Sequence, residues 1–196
     1  MGDLISPLLL ADFVYPRGHP LAGRGGVVFG FAIRHSAGVF LFDTGIGRGH
    51  RWIDENYRPH VRAIDEALAE HGLRAREVVA IANSHLHFDH CGQNRRFPSV
   101  PIWVQRAERE AARGEGYTIV EWVEFPGVRY TVIEGEAEPL PGIRVVPTPG
   151  HTPGHQSALV DTPGGIVALA GHVEGIAARL RALGAARVLP AHQEAA

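Results

Sequence analysis

Four potential metal ligands lie within six residues near the middle of the chain: His85, His87, Asp89 and His90. The run before them, 78–82, is short, apolar and rich in β-branched residues, which predicts a buried strand. If the chain stays extended beyond this strand, side chains 85, 87 and 89 point to one side, because they alternate with a period of two. Imidazole and carboxylate groups that converge in this way are typical ligands of zinc or a similar divalent ion.

Three further histidines follow predicted strands later in the chain. His151 comes after a Pro-Gly turn, His172 follows a glycine that ends the apolar run 166–170, and His192 follows a Pro-Ala pair. These strand ends are candidates to complete the ligand set. Asp43 also leaves a buried strand at a glycine turn, either as an acceptor that orients a ligand histidine or as a plain Asx turn. The spacing leaves both interpretations of Asp43 open.

The length of 196 residues predicts one domain over residues 1–196, with two fused halves as the alternative. The composition, with 45% hydrophobic and 20% charged residues, is typical of a globular protein. A net charge of −2 gives no reason to expect a nucleic-acid or anionic membrane partner. No apolar run approaches the roughly 20 residues that span a bilayer, and the first residues do not resemble a signal peptide. A single cysteine, Cys91, suits a reducing compartment, so we expect a cytoplasmic protein.

The pattern of strands and helices favours an α/β (α+β) fold with two sheets between helices, because strands mostly precede helices in each half. Strands are predicted at 4–15, 27–33, 39–42, 78–82, 102–104, 130–133, 143–146, 156–160, 166–170 and 187–189. Helices are predicted at 60–71, 105–113 and about 174–183. Residues 117–127 have no clear period and are assigned to neither class.

Taken together, these motifs resemble the metallo-β-lactamase superfamily. The resemblance rests on Asp43-Thr44-Gly45, the ligand run 84–90, Gly150-His151 and Ala191-His192. Within the superfamily the chain is most similar to the N-acyl-homoserine lactone lactonases, which it resembles at 84–90, 104–108, 133–135 and 148–157. The resemblance covers nearly the whole chain and implies a four-layer αββα sandwich with two metal ions, usually zinc, at the strand ends.

The resemblance also implies roles for the candidate residues. One metal ion would be held by three imidazoles, here His85, His87 and His151. The other would be held by Asp89, His90 and His192. Zinc held by three neutral imidazoles keeps an open position, and water bound there ionises near neutral pH and can attack an ester carbonyl. Asp89 would then pass a proton to the leaving alkoxide. Phe88 either lines the substrate site or is a core aromatic residue.

Two departures from the family pattern concern the second metal. His172 occupies the place of an aspartate that bridges both ions in the family, and an imidazole offers one lone pair where a carboxylate offers two charged oxygens. The family tyrosine that contacts the substrate carbonyl has no counterpart at 173–175, and the interval from 172 to 192 is short. We therefore expect one or two Zn²⁺ ions with a weakened second site, His172 as a terminal ligand and Glu174 as a possible substitute carboxylate.

The expected function is a metal-dependent hydrolase that opens a lactone or a simple ester, with a small molecule as its substrate. A thioesterase of the same fold is the main alternative among enzymes. A phosphodiesterase ranks last, because no cluster of arginines stands out to bind a phosphate. A metal-binding homologue that has lost catalysis is favoured by His172 and by the missing tyrosine. The sequence does not determine the oligomeric state.

Overall fold

The structure is a computed structural model that describes residues 4–194. Its strands are β1 (Ile5–Val14), β2 (Gly25–His35), β3 (Gly38–Phe42), β4 (His60–Val61), β5 (Val78–Ala82), β6 (Pro101–Gln105), β7 (Arg129–Ile133), β8 (Ala137–Leu140), β9 (Ile143–Pro147), β10 (Gln156–Thr162), β11 (Gly165–Ala170), β12 (Ala185–Pro190) and β13 (His192–Glu194). Its α-helices are α1 (Arg51–Asn56), α2 (Ile64–Glu70), α3 (Phe88–Cys91), α4 (Arg106–Ala111), α5 (Val120–Val123) and α6 (Ala177–Ala182).

The strands form two sheets. The first has the order β4-β1-β2-β3-β5-β6-β7, with β13 paired to β2 off this path. Its first half is antiparallel, whereas β3, β5, β6 and β7 run parallel to one another. The second sheet has the order β12-β11-β10-β9-β8 and is antiparallel apart from the parallel pair of β11 and β12. The parallel strands bring the ends of β3 and β5 to one edge, where Asp43 and the ligand run emerge.

Alternating strand residues separate the interior into layers, as the pleat requires. Phe40 and Phe42 pack between the two sheets with residues of β9, β10 and β11. Leu41, which lies between them in sequence, faces the other way and packs with Leu68 of α2. In the second sheet Leu159 points outward to Leu180 of α6. Helices thus cover the outer face of each sheet, and the predicted αββα sandwich is confirmed.

Several element predictions need correction. The helix predicted at 60–71 begins only at Ile64, because residues 60 and 61 pair with β1 as β4. The interval between the strands predicted at 130–133 and 143–146 is not merely a turn but also contains β8, and 117–127 contains α5. The strand β13 was not predicted at all. The longest helix among residues 4–194 has seven residues, so none of the described helices can span a membrane.

Candidate metal centre

The ligand run does not stay extended as far as the sequence pattern predicted. The backbone is extended at His87 and then turns into α3, so Asp89 lies in the first turn of a short helix and the period-two prediction for this residue is wrong. The turn is closed by the amide of His90, which donates to the carbonyl of His87 at 3.0 Å. The carbonyl of His90 in turn accepts from the amide of Thr44 at 2.8 Å. This helical turn separates the four ligands into two groups.

Three imidazoles form the first group. Nε2 of His85 lies 3.1 Å from Nδ1 of His87, and Nε2 of His151 lies 3.2 Å from the same Nδ1 atom. His85 is buried, whereas His151 lies at the exposed mouth of the site. His151 is held in a turn between β9 and β10, in which the amide of Gly150 donates to the carbonyl of Thr152. The structure therefore brings together three histidines that are up to 66 residues apart in sequence (151 minus 85).

A carboxylate and two imidazoles form the second group. Nε2 of His192 lies 2.9 Å from Nε2 of His90 and 3.2 Å from Oδ2 of Asp89. His192 reaches this position because the chain crosses from the second sheet to the first at Ala191. The Ala191 amide donates to Ala170 of β11, and its carbonyl accepts from Phe29 of β2.

His172 lies between the two groups. One of its ring nitrogens lies within 4.8 Å of a ring nitrogen of His85 and of a ring nitrogen of His90, each of which could bind a metal ion. Its ring stacks on that of His151 with 3.8 Å between centroids and lies 4.7 Å from the ring of His192. Nδ1 of His172 is also 3.6 Å from a carboxylate oxygen of Glu174. All seven predicted ligand residues thus converge on one cluster.

Asp43 holds residues of the cluster in place through hydrogen bonds. Its carboxylate accepts from the amide of Ser84 at 2.7 Å, from the hydroxyl of Ser84 at 2.8 Å and from Nδ1 of His90 at 2.8 Å. These partners lie 41 and 47 residues away in sequence, so the side chain is not engaged in a local Asx turn alone. This is the arrangement that the acceptor interpretation of Asp43 requires.

The sequence analysis missed a second buried carboxylate, that of Glu108 on α4. It accepts from the amide of Leu86 at 2.8 Å, from the hydroxyl of Thr152 at 2.7 Å and from the hydroxyl of Tyr117. Leu86 lies between the first two ligands, and Thr152 is adjacent to His151. Glu108 therefore ties both loops of the first group together. Mixed charge on a predicted helix gave no signal that one of its acids is fully buried.

Burial keeps most of the imidazoles neutral. It lowers the pKa of His85 well below its ordinary value, and it lowers the pKa of His87 to about 4. The pKa values of His151 and His172 are lowered for the same reason, reinforced by neighbouring imidazoles. Neutral imidazoles keep the lone pairs that metal ligation needs.

His90 and Asp89 form the exception. Burial opposes the charge on His90, but the carboxylates of Asp89 and Asp43 outweigh it and raise the pKa of His90. Burial likewise opposes the charge on Asp89, and His90 and His192 outweigh it and lower the pKa of Asp89. Asp89 is therefore ionised at neutral pH and can serve as an anionic ligand.

The donor set fits a divalent metal ion. In a tetrahedral site with metal–nitrogen bonds of about 2.0–2.1 Å, neighbouring ligand atoms are about 3.3–3.4 Å apart, close to the contacts of 3.1 and 3.2 Å in the first group. In the second group the ring nitrogens of His90 and His192 face each other, and the buried Nδ1 of His192 has no hydrogen-bond partner within the described part of the chain. A cation held between Nε2 of His90, Nε2 of His192 and the carboxylate of Asp89 would be bound by lone pairs that otherwise repel one another.

A cleft of about 590 Å³ opens above the cluster. His151, His172 and His192 line it together with aromatic residues from the first half of the chain, namely Phe13, Tyr15, Tyr57 and Phe88. Phe88 packs against Tyr57, with ring planes tilted by 59° and 4.8 Å between centroids, and it also lines the cleft. Burial and the nearby Asp89 raise the pKa of Tyr57, which keeps its hydroxyl protonated. The cleft thus has potential metal ligands on its floor and an apolar wall of aromatic side chains.

The backbone contact behind α3 leaves no room for a side chain at Gly92. A Cβ atom there would lie 2.0 Å from the amide nitrogen of Gly47. We expect Gly92→Ala to lower the free energy of unfolding by about 3 kcal/mol, since backbone atoms must move to relieve the clash. Urea denaturation of the metal-free protein measures this loss. The matched change Gly164→Ala, where a Cβ makes only an ordinary 3.8 Å contact, should leave stability almost unchanged. Equal effects of the two changes would contradict the proposed close approach.

Comparisons with known proteins identify relatives of this chain. Residues 23–194 match the family model of the metallo-beta-lactamase superfamily. An N-acyl homoserine lactonase of Bacillus sp. is 47% identical over 91 residues, which cover 46% of this chain and 36% of the relative. The lactonase AttM of Agrobacterium fabrum is 33% identical over 158 residues, which cover 68% of this chain and 59% of the relative.

A solved structure of an N-acyl homoserine lactone hydrolase with the product N-hexanoyl-L-homoserine bound at the catalytic metal centre superimposes with a TM-score of 0.72. It is 27% identical and covers 87% of this chain and 75% of its own. The chain thus spans only part of the length of these relatives. Since the family model matches most of its residues, the chain belongs to the metallo-β-lactamase superfamily.

Proposed function

We propose that this protein is a metal-dependent hydrolase that opens lactones, of the N-acyl-homoserine lactone lactonase type. The observation that carries the proposal is the cluster of six imidazoles and one carboxylate on the floor of an aromatic cleft. The relatives named above support it, since both curated ones are N-acyl homoserine lactonases. A quorum-quenching role follows if the substrates are the same.

We propose Zn²⁺, in one or two copies, as the native metal. Imidazole-rich donor sets with one carboxylate suit zinc among the common divalent ions. His85, His87 and His151 would hold one ion, and Asp89, His90 and His192 the other, with His172 within reach of both groups. When bound, zinc acidifies a water molecule and polarises the ester carbonyl.

The residues of the chain would handle the proton and the substrate. Water adds to the lactone carbonyl carbon, the ring carbon–oxygen bond breaks, and the products are a carboxylate, an alcohol and one proton released to solvent. Asp89, ionised beside His90 and His192, accepts the proton of the attacking water and returns it to the departing alkoxide. Asp43 holds His90 by its Nδ1 atom, so that Nε2 faces the site.

The apolar wall of the cleft would receive the acyl chain. Phe88 and Tyr57 lie together at this wall, close enough to the ligands for a chain attached to the lactone to reach them. We assign Phe88 to substrate binding on this basis. We further propose that residues 1–196 form a single domain and that the protein acts in the cytoplasm on small molecules.

Turnover by the zinc-loaded chain tests the function. Ring opening releases acid, so a pH indicator or titration can follow hydrolysis of N-hexanoyl-homoserine lactone, a simple ester and an acyl thioester. We expect the lactone to have the highest kcat/KM and chelation to abolish turnover. Faster hydrolysis of the thioester would favour the thioesterase alternative. No turnover of any substrate at verified metal content would favour a metal-binding homologue, the alternative that His172 supports.

A further inference from the structure

Two histidines of the metal centre belong to two ligand groups each. His85 is shared by the group with His87 and His151 and by a central group with His90 and His172. His90 is shared by this central group and by the group with Asp89 and His192. The three groups therefore cannot be filled independently.

Hydrogen bonds leave each shared imidazole with a single free nitrogen. Nδ1 of His90 donates to the carboxylate of Asp43. The hydroxyl of Ser84 also donates to Asp43, so its oxygen accepts from Nδ1 of His85, 2.9 Å away. Only Nε2 of each ring carries a lone pair toward the cluster, and one lone pair binds one ion. An ion in the central group thus takes both shared ligands from the outer groups.

On this basis, which rests on the metal centre of the proposed function, we propose that the protein has two mutually exclusive metal-loading states. In the first, one ion is held centrally by His85, His90 and His172. In the second, two ions occupy the outer groups, and His172 is released from ligation. His172 is thereby a ligand that competes with the binding of a second ion.

Charge and position favour the state with one ion. Asp89 is the sole carboxylate among the donors of the three groups, so two adjacent dications would be poorly neutralised and would repel each other. His172 is also held in place, because its ring stacks on His151 and its amide donates to Nε2 of His155. A second ion must overcome both the repulsion and the loss of the central ligation.

Titration of the metal-free protein with Co²⁺ alone tests this inference. Calorimetry and the visible absorption of bound Co²⁺ report stoichiometry and geometry without any substrate. We expect one ion to remain after dialysis and a second to bind at least tenfold more weakly. In His172→Asn the central group is lost, so the first ion should bind more weakly, with an altered spectrum, and the gap between the two affinities should narrow. In His172→Asp, which adds a carboxylate, two ions should be retained.

His19→Asn is the matched control, since His19 lines the same cleft but belongs to none of the three groups. Circular dichroism of the metal-free variants verifies that each is folded, and His172→Asp replaces His172→Asn if the latter is not. Two ions of equal affinity in the unaltered protein would overturn the inference, as would a first-ion affinity and spectrum unchanged in His172→Asn. A chain that binds one ion in this way and hydrolyses nothing would uphold the inference and overturn the proposed function.

Discussion

Replacing Asp89 with asparagine should lower kcat/KM for lactone hydrolysis by about 10³-fold. A positioned proton-transfer group contributes about 10²–10⁴-fold, and asparagine can neither accept nor return the proton. The change also removes the negative charge of Asp89, whose Oδ2 atom lies 3.6 Å from Nε2 of His90 and 3.2 Å from Nε2 of His192. The effect on turnover should therefore exceed that of losing a ligand alone.

The measurement is steady-state lactone hydrolysis with metal content verified for each preparation, so that lost turnover is not mistaken for lost metal. Asp161→Asn, an isosteric change at an exposed site on β10, serves as the control and should leave kcat/KM within a factor of two. Activity of Asp89→Asn within tenfold of the unaltered protein, at equal metal content, would remove Asp89 from the proposed proton transfer.

Replacing Glu108 with alanine should lower the free energy of unfolding by about 3–4 kcal/mol. The amide of Leu86 and the hydroxyls of Thr152 and Tyr117 would each lose their acceptor in a buried place, at a cost of about 1–3 kcal/mol for a fully unsatisfied group. For a chain of this length the melting temperature should fall by about 10 °C. The loops that carry His85, His87 and His151 should loosen together.

Urea denaturation of the metal-free protein measures the loss for Glu108→Ala. Glu110→Ala, which removes an exposed acid from the same helix, should change stability by less than about 0.5 kcal/mol. Glu108→Gln keeps one acceptor oxygen, so its effect should be about 1–2 kcal/mol. Metal affinity should fall in Glu108→Ala and remain nearly unchanged in Glu110→Ala. Equal stabilities of the two alanine variants would show that the buried network contributes nothing.

Local pattern was enough to predict the ligand run and most of the strands. The β-branched run at 78–82 and the dense spacing of His85, His87 and His90 carry strong signals, because both depend on neighbours in sequence. The order of strands and helices in each half also predicted two sheets between helices, and the resemblance to the metallo-β-lactamase superfamily implied the αββα sandwich.

Features set by distant contacts could not be predicted in this way. Asp89 left the extended pattern because the chain turns into α3, and the end of this helix is bonded to Thr44 and Gly45 in the turn after β3, far away in sequence. β13 is only three residues long and exists through pairing with β2, so no local period marks it. Glu108 carries the sequence signal of a surface acid, and its burial depends on three separate segments that donate to it.

The crossing of the chain between the two sheets at Ala191 couples metal binding to the stability of the fold. This residue bonds to β11 through its amide and to β2 through its carbonyl, and the next residue reaches the ligand cluster. In the two-ion state, the ion bound by His192 also holds together the two sheets that meet at this crossing, and its binding stabilises the folded chain by about 4 kcal/mol when free metal exceeds the dissociation constant of that ion a thousandfold. When metal is scarce, the protein would then be more susceptible to proteolysis as well as inactive.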